Sequence, residues 1–141
     1  MATAFGFDQF LVALASKKHN LASDTLKLAL SNTAPTQATD DTFSDITEIA
    51  AGNGYTAGGL TIDSVTVTVS SGVLTVDFAN EVLTASGGSI GPFRYVVIYN
   101  DTATNDELIG YFDLGSSQTV LDGQSYNFNV AASGFFTITL T

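Results

Sequence analysis

The sequence has no cysteine, no tryptophan, only two prolines and only four basic residues among 141. Without cysteine there are no disulfides, thiolate nucleophiles or cysteine metal sites, so stability must come from packing. The few bases are unevenly placed: Lys17, Lys18 and Lys27 precede Leu28, and Arg94 is the sole base after it, against twelve acids. The net charge is -10. A surface of that sign repels phosphate, whereas nucleic-acid binding needs a cationic footprint to displace counterions, so no nucleic-acid partner is expected. No apolar run approaches the roughly 18 residues of a membrane helix. The first residues also lack the charged and contiguous apolar regions of a secretory signal. The expectation is a soluble protein made in a cytoplasm, with no membrane partner.

What is present favours strands. Hydrophobic residues make up 45% of the chain, enough to repay the entropy of ordering, and Gly, Thr and Ser are frequent. The length is that of one domain, residues 1–141, with 1–22 as an N-terminal arm or helix. The strongest strand signal is Phe93-Arg94-Tyr95-Val96-Val97-Ile98-Tyr99, apolar on both faces and therefore expected at the centre of a sheet. Its partner is Leu108 to Phe112, across the turn-forming residues Asn100 to Asp106.

Along the chain, Phe7, Phe10, Leu11 and Leu14 share one face of a predicted helix from about Asp8 to Lys18. Asp8 is the expected N-cap, Phe7 and Val12 a hydrophobic staple, and Lys17 and Lys18 suit the negative helix end. This helix either packs across a sheet face or, with Phe5, Phe7 and Phe10 as contact residues, forms an arm docked on another subunit. His19, the lone histidine, is expected to be solvated. Leu26, Leu28 and Leu30 alternate with polar positions as a half-buried strand with one wet face. Residues 33–41 read as an exposed loop. A short second helix follows, capped by Ser44 or Asp45, with Ile46, Ile49 and Ala50 on its apolar side.

Gly52 to Gly59 lacks the spacing of any phosphate-binding motif and reads as a loop into which Tyr55 tucks. From Leu60 to Val69 the apolar phase slips at Asp63-Ser64, which predicts a bulge or a strand that changes sheets. Ser70-Ser71-Gly72 is a turn before Leu74, Val76 and Phe78, and Gly115-Ser116-Ser117 is another. Asp122-Gly123 is a tight-turn signal, and alternating strands follow around Tyr126 and Phe136. The expected fold is mainly β: an antiparallel β-sandwich, jelly-roll or Greek-key like, with an N-terminal α-helix and a short second helix.

The chemistry in the sequence is sparse. A transition-metal or triad enzyme would have to use His19 alone. Glu48 and Asp113 are a conceivable glycosidase pair. Asp40, Asp41 and Asp45, or Asp101, Asn105, Asp106 and Glu107, are conceivable calcium ligands without EF-hand spacing. No catalytic residue, cofactor or metal site is assigned. Tyr55, Tyr95, Tyr99, Tyr111 and Tyr126 are the residues a sugar-binding module would use.

Several segments together resemble a family of small structural proteins of phages and prophages. They are Lys18-His19-Asn20-Leu21, Ser23 to Lys27, Leu30 to Pro35, Asp45 to Gly59, and Phe93-Arg94-Tyr95 with Tyr99-Asn100-Asp101. The resemblance brings no catalytic residues. It implies a non-enzymatic virion component, a decoration or cement protein on the outer head surface whose partner is the major capsid protein. A tail or fibre component and an adhesion module are the alternatives. Local three-fold positions on a capsid lattice lead to the expectation of a homotrimer. Contacts to capsid or subunit neighbours are expected from Phe5, Phe7, Phe10, Lys17, Lys18 and Lys27.

Overall fold

The computed structural model describes residues 2–131 and 134–141. Among the described residues the fold is mainly β, with antiparallel sheets and one α-helix. In chain order the elements are β1 (Thr3–Gly6), α1 (Asp8–Ala15), β2 (Leu26–Ser31), a 3-10 turn (Phe43–Asp45), β3 (Leu60–Thr61), β4 (Thr66–Ser70) and β5 (Val73–Asp77). They continue with β6 (Glu81–Thr84), β7 (Ile90–Asn100), β8 (Leu108–Val120), β9 (Ser125–Phe128) and β10 (Phe136–Thr139). One sheet runs β1-β8-β7-β2-β3, a second β10-β5-β4, and β6 pairs with β9.

The central position expected for the 93–99 strand is found, since β7 lies in the middle of the five-stranded sheet. Val96, Val97 and Ile98 are each at most 1% exposed, so successive side chains are buried on opposite faces. Burial of such a side chain contributes about 1.5–3 kcal/mol. Two aromatic groups join the smaller sheets to this one. Phe135 sits 5.3 Å from both Phe78 and Phe112, and Phe93 meets Tyr126 and Phe128 at 5.6 and 6.2 Å.

β2 is not half wet. It lies between β7 and β3, and Ala29 and Ser31 are as buried as Leu28 and Leu30. Its polar members are satisfied from other segments and from the chain just beyond: the Ser31 hydroxyl lies 2.6 Å from the Thr47 carbonyl and 2.9 Å from that of nearby Thr33, and Lys27 reaches Asp101. The slip at Asp63-Ser64 is a change of sheet. β3 closes on β2, Ser64 takes a left-handed φ of 54°, and β4 opens the β10-β5-β4 sheet.

Four boundaries differ from expectation. Phe7, not Asp8, is the N-cap of α1, and it makes no side-chain capping bond; Val12 is exposed, so there is no staple. The helix stops at Ala15 because the chain turns left-handed at Lys17 (φ 63°). There Lys17 and Lys18 donate their N–H groups to Leu14 and Ala13, a Schellman closure with lysine where glycine is usual. The short second helix is instead a single 3-10 turn after Thr42, with Ala50 exposed beyond it. Finally, Gly115-Ser116-Ser117 does not end a strand. Tyr95 pairs with Asp113 and Phe93 with Gln118, so β8 bulges out by three residues opposite one strand and then continues to Val120.

Candidate functional site

The expected contact residues fall in two places. Phe7 and Phe10, named as contact candidates, are buried in the core of the single chain, 2% and 5% exposed. Edge pairing explains it: β1 adds to β8 in register (Phe5 opposite Tyr111), the Phe7 N–H donates to Ile109, and Phe7 then turns inward toward Tyr111 at 5.3 Å. Phe10 packs on His19 and Phe136 at 5.2 and 5.0 Å. Phe5 alone remains at the surface, stacked on Tyr111 at 5.1 Å. With Leu11 and Phe136 it lines an open groove of about 390 Å3 between β1, the start of α1 and β10.

The bases do not form a free cationic patch. Lys18 Nζ stands 3.1 Å from Glu107 and Lys27 Nζ 3.2 Å from Asp101. Arg94 holds Asp113 through two bonds of 2.7 and 2.9 Å. Among the described residues Lys17 is the base with no acid within salt-bridge distance.

A polar cleft of about 420 Å3 opens between the Lys17–Asp24 turn and the loop from Thr102 to Glu107. Close to it is His19, which is 7% exposed rather than solvated. The Schellman turn directs the chain back beneath α1, so that the imidazole meets the Phe10 ring. Asn100 sets its tautomer. The Asn100 Oδ1 accepts the N–H groups of Thr102 and Ala103 at 3.0 and 3.2 Å, so its Nδ2 must face Asp24 (2.6 Å) and His19 Nδ1 (3.0 Å). Nδ1 is therefore an acceptor, and the proton sits on Nε2, which is buried without a partner. Burial pushes the imidazole pKa below its usual value, although Glu107 and Asp24 pull the other way. Burial disfavours charged Glu107 too, but bonds from Lys18 and the Asn105 N–H outweigh it and hold its pKa low.

A second buried network joins the glycine-rich loop to the sheet. Tyr55, 2% exposed, tucks in as expected; Leu30 donates its N–H to the Tyr55 hydroxyl (2.9 Å), which donates to Glu48 (2.6 Å). Gly58 N–H also donates to Glu48 (2.8 Å), and the Tyr99 hydroxyl donates to the Gly58 carbonyl (2.7 Å). Burial first, and the Glu48 carboxylate second, raise the Tyr55 pKa strongly; burial does the same for Tyr99. Neither phenol is set up to ionise.

The acids considered for chemistry do not converge. Glu48 is held by Tyr55 and Gly58, and Asp113 by Arg94 and the Gly115 N–H. Asp45 accepts the N–H groups of Thr42 and Asp41, which lower its pKa, and Asp40 accepts that of Thr36. Asp101 and Glu107 are taken by lysines. Among the described residues no three acid or imidazole side chains are placed to hold a metal ion. Of the tyrosines, Tyr55, Tyr99 and Tyr111 are buried and Tyr95 and Tyr126 half-buried, leaving no open stacking platform. Sequence reasoning missed both networks because their bonds join separate segments: Asn100 stands 81 and 76 residues from His19 and Asp24, and Leu30 stands 25 from Tyr55.

Comparison with protein-family models, with curated proteins and with solved structures finds no match. No helix of the described residues is long and apolar enough to cross a membrane.

Proposed function

We propose that this protein is a non-enzymatic structural component of a virus particle, and in particular a decoration protein bound to the outer head surface of a tailed phage, its partner the major capsid protein. One observation carries the reading: the segments that resemble phage structural proteins bond to one another. His19 and Asp24 meet Asn100, Ser31 meets Thr47, Leu30 meets Tyr55, which meets Glu48, and Gly58 meets Tyr99. What the pattern specifies is a scaffold, and its polar groups are spent on holding the fold. A cement protein needs such a rigid body and works by burying surface between neighbours. The acidic character suits an outer surface better than contact with packaged DNA. The arrangement of sheets is read as a sandwich, and a three-fold cluster is the assembly proposed for the capsid lattice.

The test is the copy number in purified virions, measured by mass spectrometry against the major capsid protein. Hundreds of copies in a simple ratio to capsid subunits are expected. A handful would move the protein to the tail or a vertex, and none would end the virion reading.

A further inference from the structure

β4 is the outer strand of the β10-β5-β4 sheet, and all five of its residues are exposed. Edge strands usually avoid pairing with other chains through charge, proline or a bulge. Thr66-Val67-Thr68-Val69-Ser70 has none of these, and its register with β5 is unbroken. The surroundings share this neutrality: residues 64–76 and 134–141 hold no ionisable side chain, in a chain of net charge -10.

The hairpin fixes which backbone groups face outward. Ser71 and Gly72 both have positive φ, 51° and 78°, the signature of a two-residue type I′ connection. Its flanking pair, Ser70 and Val73, is then hydrogen-bonded, and by alternation so are Thr68 with Thr75 and Thr66 with Asp77. Val67 and Val69 consequently turn their N–H and C=O groups to the open edge.

The strand is also self-complementary. Laid antiparallel on its own copy with Val67 opposite Val69, both open valines find backbone partners, and Thr68 meets Thr68 on the axis. Valine faces valine on the side shared with Leu74 and Ile138, and Thr or Ser faces Thr on the other. We propose that β4 pairs with β4 of a second copy across a two-fold axis, joining two three-stranded sheets into one of six strands. Two bodies of charge -10 repel, and β4 itself adds nothing to that repulsion, the one acid of its partner strand, Asp77, standing opposite Thr66 at the far end from the turn. The contact covers Val69, which is 69% exposed in the single chain. It is separate from any three-fold cluster and does not rest on the virion reading.

Five residues a side make a contact below the roughly 1,200 Å2 of ordinary stable interfaces, so a weak dimer is expected. Sedimentation from about 10 μM to about 1 mM should show monomer giving way to twice the mass, at midpoints in the micromolar range or above. Thr68→Lys, which sets two cations face to face on the axis, should abolish the change. Because the chain has no cysteine, Thr68→Cys adds a single thiol. At a non-hydrogen-bonded antiparallel pair the Cα atoms lie about 4.5 Å apart, within reach of a disulfide. Mild oxidation should convert Thr68→Cys to a covalent dimer and leave Ser70→Cys, whose symmetry mate is four residues distant along the strand, uncoupled. Both positions are exposed, so neither change disturbs the core. A mass that does not change with concentration, a dimer that Thr68→Lys leaves intact, or equal cross-linking of both cysteine variants would overturn the proposal.

Discussion

Asn100 Nδ2 stands 3.0 Å from His19 Nδ1, a bond between residues 81 apart in sequence, and it admits the imidazole only in its neutral form. A proton on Nδ1 would set donor against donor, and Asn100 cannot turn over without releasing the Thr102 and Ala103 N–H groups.

The first prediction is a pH dependence. The folded-state pKa of His19 lies below the unfolded value of 6.5, so on acidification the unfolded chain takes up the proton first. The contribution is complete above about pH 7 and is lost as pH falls through 6.5 toward the folded pKa. His19→Gln keeps an acceptor for Asn100 and cannot titrate. Urea midpoints of the native protein should fall between pH 7 and 5 relative to this variant; parallel curves would refute the assignment.

Lys17 supplies a second. It holds a left-handed conformation at the end of α1, which costs a non-glycine residue about 1 kcal/mol or more. Lys17→Gly should raise the unfolding free energy by about 1 kcal/mol, and Lys17→Ala should not. Equal effects of the two would mean that the lysine charge matters rather than its backbone.

Tyr55→Phe tests the network under the glycine-rich loop. Removing the hydroxyl leaves the buried Leu30 N–H without an acceptor and Glu48 without one donor. The expected loss is about 1–3 kcal/mol in chemical denaturation. A loss of a few tenths would show that water replaces the phenol.

Gly59 and Gly123 form a matched pair. Both have φ near 80°, 82° and 79°, but a Cβ at Gly59 would overlap the Leu28 carbonyl oxygen and stand 2.8 Å from Ala29 Cα, while one at Gly123 meets nothing within 4 Å. Gly123→Ala should cost about 1–2 kcal/mol from backbone conformation alone. Gly59→Ala adds a clash with an interior strand and should yield insoluble protein or a loss beyond about 4 kcal/mol. Similar thermal stability of the two variants would contradict this close approach.

The sequence announces what is local and repetitive. Val96-Val97-Ile98 marks a strand covered on both sides, the slip at Asp63-Ser64 marks a change of sheet, and Asp122-Gly123 marks a turn, which the Gln124 N–H closes on Leu121. It hides what depends on distant partners. Lys27 and Ser31 make β2 look half wet because Asp101 and Thr47, which satisfy them, come from remote segments. β1 and β6, each four residues long, are too short for alternation to show and are defined by β8 and β9. His19 looks solvated until the left-handed turn at Lys17 brings it under Phe10. Likewise the contact candidates Phe7 and Phe10 are indistinguishable in sequence from exposed Phe5; only the edge pairing of β1 separates them.

The outward loop of β8 has a practical use. Gly115, Ser116 and Ser117 are exposed, and the ladder on either side is held independently, by Tyr95 with Asp113 and by Phe93 with Gln118. The slack already absorbed there makes this bulge a natural graft position, where a foreign peptide could be spliced into the middle of a strand and presented to solvent while both flanking registers stay fixed.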